Sequence, residues 1–133
     1  MPAKVLDSFA LIAYFRDEPG AETVENLLVT AGRKDTPLHM TDVNYAEVKY
    51  SIVKKDGAQA WEEAAKILQG LPVDFHPTNH ALADTAADFK ARFKISLADA
   101  FAAALAKEKK AELVTGDPEF KPLEKEIKIN WLK

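Results

Sequence analysis

Apolar residues along this chain follow two rhythms. Short apolar runs of strand length alternate with longer stretches in which apolar residues return every three or four positions, the period of a helix with one buried face. Lys4-Val5-Leu6 reads as a first strand, and Ser8 to Asp17 as a helix broken by Pro19-Gly20. Val24, Leu27, Leu28 and Ala31 set a helix over Ala21 to Ala31. A second strand is expected over Thr36 to Met40, then a helix over Thr41 to Lys55 closed by Gly57, and another over Ala58 to Leu68. Pro72 to Phe75 reads as a strand, Asn79 to Phe93 and Leu97 to Lys109 as helices, Glu112 to Thr115 as a strand, and Ile127 to Trp131 as a last, edge strand. Strands separated by helices require crossover connections, so the pattern predicts an α/β fold with a parallel sheet covered on both faces. In such sheets, sites form at the carboxyl ends of the strands.

The bulk numbers narrow the class without choosing a function. The 133 residues, 47% of them hydrophobic, suit one compact domain over 1–133 with a core of its own. Eighteen basic and 21 acidic residues give a net charge of −3, which argues against a protein that coats DNA. There is no cysteine, which excludes disulfides, thiolate metal sites and cysteine nucleophiles and is compatible with a reducing cytoplasm. No uninterrupted apolar run is longer than Phe9 to Phe15, far short of a membrane span, and Met1 to Asp7 shows no secretory pattern. No repeat, low-complexity tract or linker stands out.

The strand-end rule organises the acids. Asp7 directly follows the first strand, and Asp117 follows the strand Glu112 to Thr115 with only Gly116 between. Glu47 falls in the second turn of the helix after the second strand, and Asp99 in the first turn of its own helix. Each has a structural alternative. Asp7 and Asp117 are placed to cap the helices that follow, the latter with Pro118 at the favoured first position. Ser96-x-x-Asp99 is a variant capping box. Glu47 is harder to dismiss, because Val43, Ala46, Glu47, Tyr50 and Val53 form a stripe expected to face the core, where a carboxylate costs several kcal/mol unless paired or bound to a cation. Asn44, one turn earlier, is expected to hydrogen-bond that carboxylate or a water at a metal. Four acids meeting at one sheet edge suit hard, oxygen-seeking cations. His39, His76 and His80 lack zinc spacing, with Pro77 interrupting the last two, and read as surface or loop histidines. Lys49, Lys54, Lys55, Arg92 and Lys94 read as solvated helix positions or as a basic rim. Ser8 and Thr115 read as orienting or capping hydroxyls rather than nucleophiles.

With the acids located, four segments taken in order resemble a PIN domain over essentially the whole chain. They are Val5-Leu6-Asp7-Ser8-Phe9-Ala10-Leu11, Asn44-Tyr45-Ala46-Glu47-Val48, Ala91 to Ala100, and Leu113-Val114-Thr115-Gly116-Asp117-Pro118-Glu119-Phe120. The Arg92-Phe93 pair followed by Ser96-Leu97-Ala98-Asp99-Ala100 is similar to the VapC branch of toxin ribonucleases. The resemblance implies a three-layer α/β/α sandwich with a mainly parallel sheet, and Mg²⁺- or Mn²⁺-dependent cleavage of RNA. It implies Asp7, Glu47, Asp99 and Asp117 as metal-site acids and Ser8, Asn44 and Thr115 as auxiliary polar residues. It also implies a homodimer and a VapB-type antitoxin partner. Some members place a second Asp shortly after the fourth acid; Glu119 stands there and is left outside the core set. A housekeeping RNA-processing PIN nuclease and a PIN-fold binding module without catalysis are the alternatives. The small size favours the toxin over the first, and the complete acid set argues against the second. A phosphatase of similar topology would need Asp-x-Asp after the first strand, where the chain reads Asp7-Ser8-Phe9.

Overall fold

A computed structural model describes residues 3–133; Met1 and Pro2, part of the stretch read for a secretory pattern, lie outside the described residues. Five strands form one sheet in the order β3-β2-β1-β4-β5. They are β1 (Lys4–Leu6), β2 (Leu38–Thr41), β3 (Val73–His76), β4 (Glu112–Thr115) and β5 (Ile129–Trp131), and all four pairings are parallel. Six helices surround them: α1 (Ser8–Arg16), α2 (Ala21–Lys34), α3 (Asp42–Asp56), α4 (Ala58–Gln69), α5 (His80–Arg92) and α6 (Leu97–Lys109).

Alternation along the strands divides the core. Val5 and Leu113 point to one face and pack with Phe89, Phe101 and Leu105 of α5 and α6. Their neighbours Leu6 and Val114, with Met40, point to the other and pack with Leu11, Val24, Leu28, Val48, Trp61 and Leu68 of α1 to α4. This is the expected α/β/α sandwich. Val5-Leu6 and Leu113-Val114 are apolar without a break because both sheet faces are covered.

The expected elements are all present, with shifted ends. β2 begins two residues later than expected because Pro37 precedes it, and it ends on Thr41, which caps α3 instead of belonging to it. α2 runs one turn further, to Lys34, and stops where Asp35 adopts a left-handed backbone at φ 52°. One element was not expected: a 3₁₀ helix over Pro118–Lys125, which turns Phe120 and Leu123 into the α5/α6 side of the core.

The stripe proposed for α3 is wrong in phase. Asn44, Val48 and Ile52 are its buried residues. Ala46 is exposed, as are Tyr50 at 58% and Val53 at 37%, and Glu47 lies half-buried at the margin. Counting apolar residues selected the wrong face because one buried position, Asn44, is polar and is made acceptable by hydrogen bonds instead.

Candidate metal centre

The chain leaves β1 toward β2 and β3 on one side, then returns through α5 and α6 to β4 on the other. The carboxyl ends of β1 and β4 therefore flank the point where strand order reverses, the usual place for a site in an open α/β sheet. Asp7 and Asp117 stand there. The N-termini of α1, α3 and α6 open toward the same region through the capping residues Asp7, Thr41 and Ser96. Their exposed N–H groups and positive dipole ends partly offset a concentration of acid.

Asp7 is fully buried and hydrogen-bonded at both oxygens: Oδ1 accepts from the Ala10 N–H at 2.9 Å, and Oδ2 accepts a short hydrogen bond from the Thr115 hydroxyl. Burial pushes its carboxyl up to about 8, with the charges of Asp99 and Asp117 adding and the bonds from Thr115 and Ala10 opposing. Thr115 also accepts from the Asp117 N–H at 3.0 Å, so one hydroxyl ties two of the acids together. Asp117 caps the 3₁₀ helix, its Oδ1 accepting from the Glu119 N–H at 2.9 Å, with Pro118 in the first position.

Asp99 is 8% exposed in the first turn of α6. Its N–H donates to the Ser96 hydroxyl at 3.1 Å, so Ser96 is the cap and the Asp99 carboxyl faces the site. Burial, then the charges of Asp117 and Glu47, push that carboxyl up to about 7. One carboxylate oxygen from each of Asp99, Asp117 and Glu119 lies within 4.8 Å of the other two. Glu47 stands outside this group, though its charge acts on Asp99. Asp7 is also outside it and sits beneath, in contact with the rest through Thr115.

Asn44 does something the sequence did not suggest. Its side-chain N–H groups donate to the Ser8 hydroxyl at 2.9 Å and to the Ala98 carbonyl at 3.1 Å, while its oxygen accepts from the Thr41 hydroxyl. The Thr41 hydroxyl accepts in turn from the Asn44 N–H at 2.9 Å. The amide is thus committed to joining the starts of α1, α3 and α6, and none of these bonds reaches Glu47. Glu119, left outside the core set on sequence, joins the carboxylate group, and Thr41 was not singled out. The legible signal for Thr41 was its place three residues before Asn44 at a strand–helix boundary, the spacing of an N-cap. Arg92, read as part of a basic rim, forms a two-pronged ion pair with Glu126 at 2.6 and 2.9 Å. No buried side-chain N or O among the described residues lacks a partner.

A doubly wound sandwich with carboxylates gathered at its switch point defines the class: an α/β protein with a group of acids that could hold a metal ion. A family model described as PIN domain matches residues 4–126, and the chain belongs to that family. Among solved structures, the VapBC2 complex of Rickettsia felis bound to a DNA fragment from its promoter contains a chain of the same fold. It is 15% identical, with 98% of this chain and 99% of that one covered at a TM-score of 0.79. The sarcin–ricin-loop-cleaving VapC toxin of Mycobacterium tuberculosis is similar at 17% identity, 91% and 95% coverage and a TM-score of 0.75. A chain of VapBC-1 from Haemophilus influenzae is similar at 20% identity, 97% coverage of both chains and a TM-score of 0.71. Curated protein sequences give no match.

Proposed function

We propose that this protein is a metal-dependent endoribonuclease toxin of the VapC type, acting as a single PIN domain over 1–133. The observation that carries the reading is the group Asp99, Asp117 and Glu119, with Asp7 beneath it, at the switch point of a PIN-family chain. The donors are carboxylate oxygens, with no thiolate or imidazole among them, and that set fits Mg²⁺ or Mn²⁺. When bound, such ions supply positive charge that favours attack of water on a phosphodiester and stabilises the departing oxygen. Asp99, Asp117 and Glu119 hold the ions, and Glu47 brings a further negative charge from α3. Asp7 completes the acid set from below. Thr115 orients Asp7 and Asp117. Asn44 and Ser8 are positioning residues that fix the helix starts on which Glu47 and Asp99 ride.

An RNA substrate, a VapB-type antitoxin, a homodimer and a cytoplasmic location belong to the same reading; support comes from the likeness to chains solved within VapBC complexes. Among the described residues no helix is long and apolar enough to cross a membrane. The test is cleavage of a structured RNA with an exposed loop by purified protein. Mn²⁺ should support cutting, while EDTA and Asp99→Asn should each abolish it. Equal cutting with EDTA would overturn the metal mechanism.

A further inference from the structure

His39 and His76, read from the sequence as surface or loop histidines, meet across two neighbouring strands. Leu38 and Met40 point toward α1 to α4, so His39 between them points to the opposite face, the one covered by α6. In the β2–β3 register His39 stands beside Asp74, and His76, two residues further along β3, shares that face. The two half-buried rings bring His39 Nδ1 and His76 Nε2 to 2.9 Å. Each ring sits on a strand of the same sheet, so the approach is fixed by backbone register and not by two free side chains.

Charges around the pair come from every element packed near it. Lys109 at the end of α6 stands by both rings, as does Asp74; Glu108 of α6 and Asp42 of α3 stand by His76. Burial, then Lys109, push both histidines below their usual range, which keeps the imidazoles in the neutral form that donates a lone pair to a metal. The spacing is specific. Two nitrogens each about 2.0–2.1 Å from one ion and at a right angle to each other are about 2.9 Å apart, whereas a tetrahedral angle needs about 3.4 Å. Right-angle imidazole pairs suit Ni²⁺ and Cu²⁺.

We propose that His39 and His76 form a second metal site on the β2–β3 edge of the sheet, taking a divalent transition ion of the nickel or copper kind. Asp74 is exposed and in register with His39, and its carboxylate does not converge with the two nitrogens, so the two imidazoles are the protein donors of the site. Water fills the remaining positions. The site is separate from the carboxylate centre. Lys109 lies ten residues after Asp99, about 15 Å along α6. It is also chemically distinct, with nitrogen donors where the other offers only oxygen. It does not depend on the protein being a nuclease.

The experiment is a calorimetric titration of metal-free protein with Ni²⁺, with excess Mg²⁺ present to compete at the carboxylates. One equivalent should bind to wild type. His39→Gln and His76→Gln should each weaken binding at least tenfold, while Asp99→Asn and His80→Gln leave it unchanged. Circular dichroism checks that each variant is folded. Should either histidine variant fail to fold, imidazole-nitrogen NMR of the wild-type protein with Ni²⁺ and excess Mg²⁺ decides: the His39 and His76 resonances both shift or broaden and those of His80 do not. Wild-type affinity in either folded histidine variant, loss of binding in Asp99→Asn, or unmoved His39 and His76 resonances overturns the proposal and leaves the pair as a simple hydrogen bond.

Discussion

Burial holds the Asp7 carboxyl well above the usual carboxylate range. Its carboxyl is pushed up to about 8 in the native protein, against an ordinary value of 3.8, so between those values the unfolded chain binds fewer protons than the folded one. Stability contributed by the protonated form is therefore complete at low pH and lost as pH rises toward about 8. Asp99 has the same sign up to about 7, and the His39–His76 pair has the opposite sign, with its contribution lost on acidification. Above neutrality the histidines are neutral in both states and Asp7 dominates. Urea unfolding in EDTA should accordingly show stability falling from pH 7 to pH 8, by at most about 1.4 kcal/mol per unit; a rise over that interval would mean Asp7 is ionised in the native state. Thr115 carries the second residue-level expectation. Thr115→Val strips one hydrogen bond from buried Asp7 and one from the Asp117 N–H, so it should lose about 1–3 kcal/mol in the same assay. Thr115→Ser keeps the hydroxyl and should lose less; a Ser variant that loses more than the Val variant would show that the methyl group and not the hydroxyl matters. Asp7, Asp99 and Asp117 stood out because each follows a strand or opens a helix, whereas Glu47, in the second turn of α3, was singled out from a stripe that is not the buried one. The partners were not legible. Nothing in the sequence says that residues 39 and 76, or 7 and 115, are neighbours, since their proximity comes from strand pairing.

Between elements, the tightest dependence joins α1 to the turn after β4. A Cβ on Gly116 would come within 2.4 Å of the Phe9 ring, which lies across that turn and is 41% exposed. Gly116→Ala must displace the ring, and the exposed side of Phe9 gives it somewhere to go. The destabilisation should be real but should shrink when Phe9 is already Ala, giving a positive coupling energy in a double-mutant cycle of urea melts, on the order of 0.5–3 kcal/mol. Strict additivity would mean that Gly116 is needed for another reason. Element identity was legible from periodicity almost everywhere, and two exceptions have physical causes. On α3 the buried face includes Asn44, a residue whose burial depends on hydrogen bonds to distant Ser8 and Ala98 as well as to nearby Thr41, so a reading by hydrophobicity settles on the exposed stripe instead. In the segment 118–125 two prolines read as breakers, yet Phe120 and Leu123 are three apart, the repeat of a 3₁₀ helix.

At the scale of the molecule, repulsion among the gathered acids sets an expectation for stability without metal. Asp99→Asn removes a partner of both Asp117 and Glu47 while leaving the Ser96 cap intact, so in EDTA the variant should melt higher than wild type. Mn²⁺ should raise the wild-type melting temperature, since it binds the folded state, and the variant's much less. A variant that melts lower in EDTA and gains as much from Mn²⁺ would show that the acids do not share a site. The sheet order also fixes when that site comes to exist. β1 lies between β2, which is made soon after it, and β4, which begins at residue 112. On a ribosome adding about 5–20 residues per second, Asp7 waits about 5–20 s for the strand that carries Thr115 and leads to Asp117. Until then it lacks the hydroxyl that orients it and ties it to Asp117. A centre assembled in this order is complete only when the chain is nearly finished, because the last part of it to be translated is also the part that closes it.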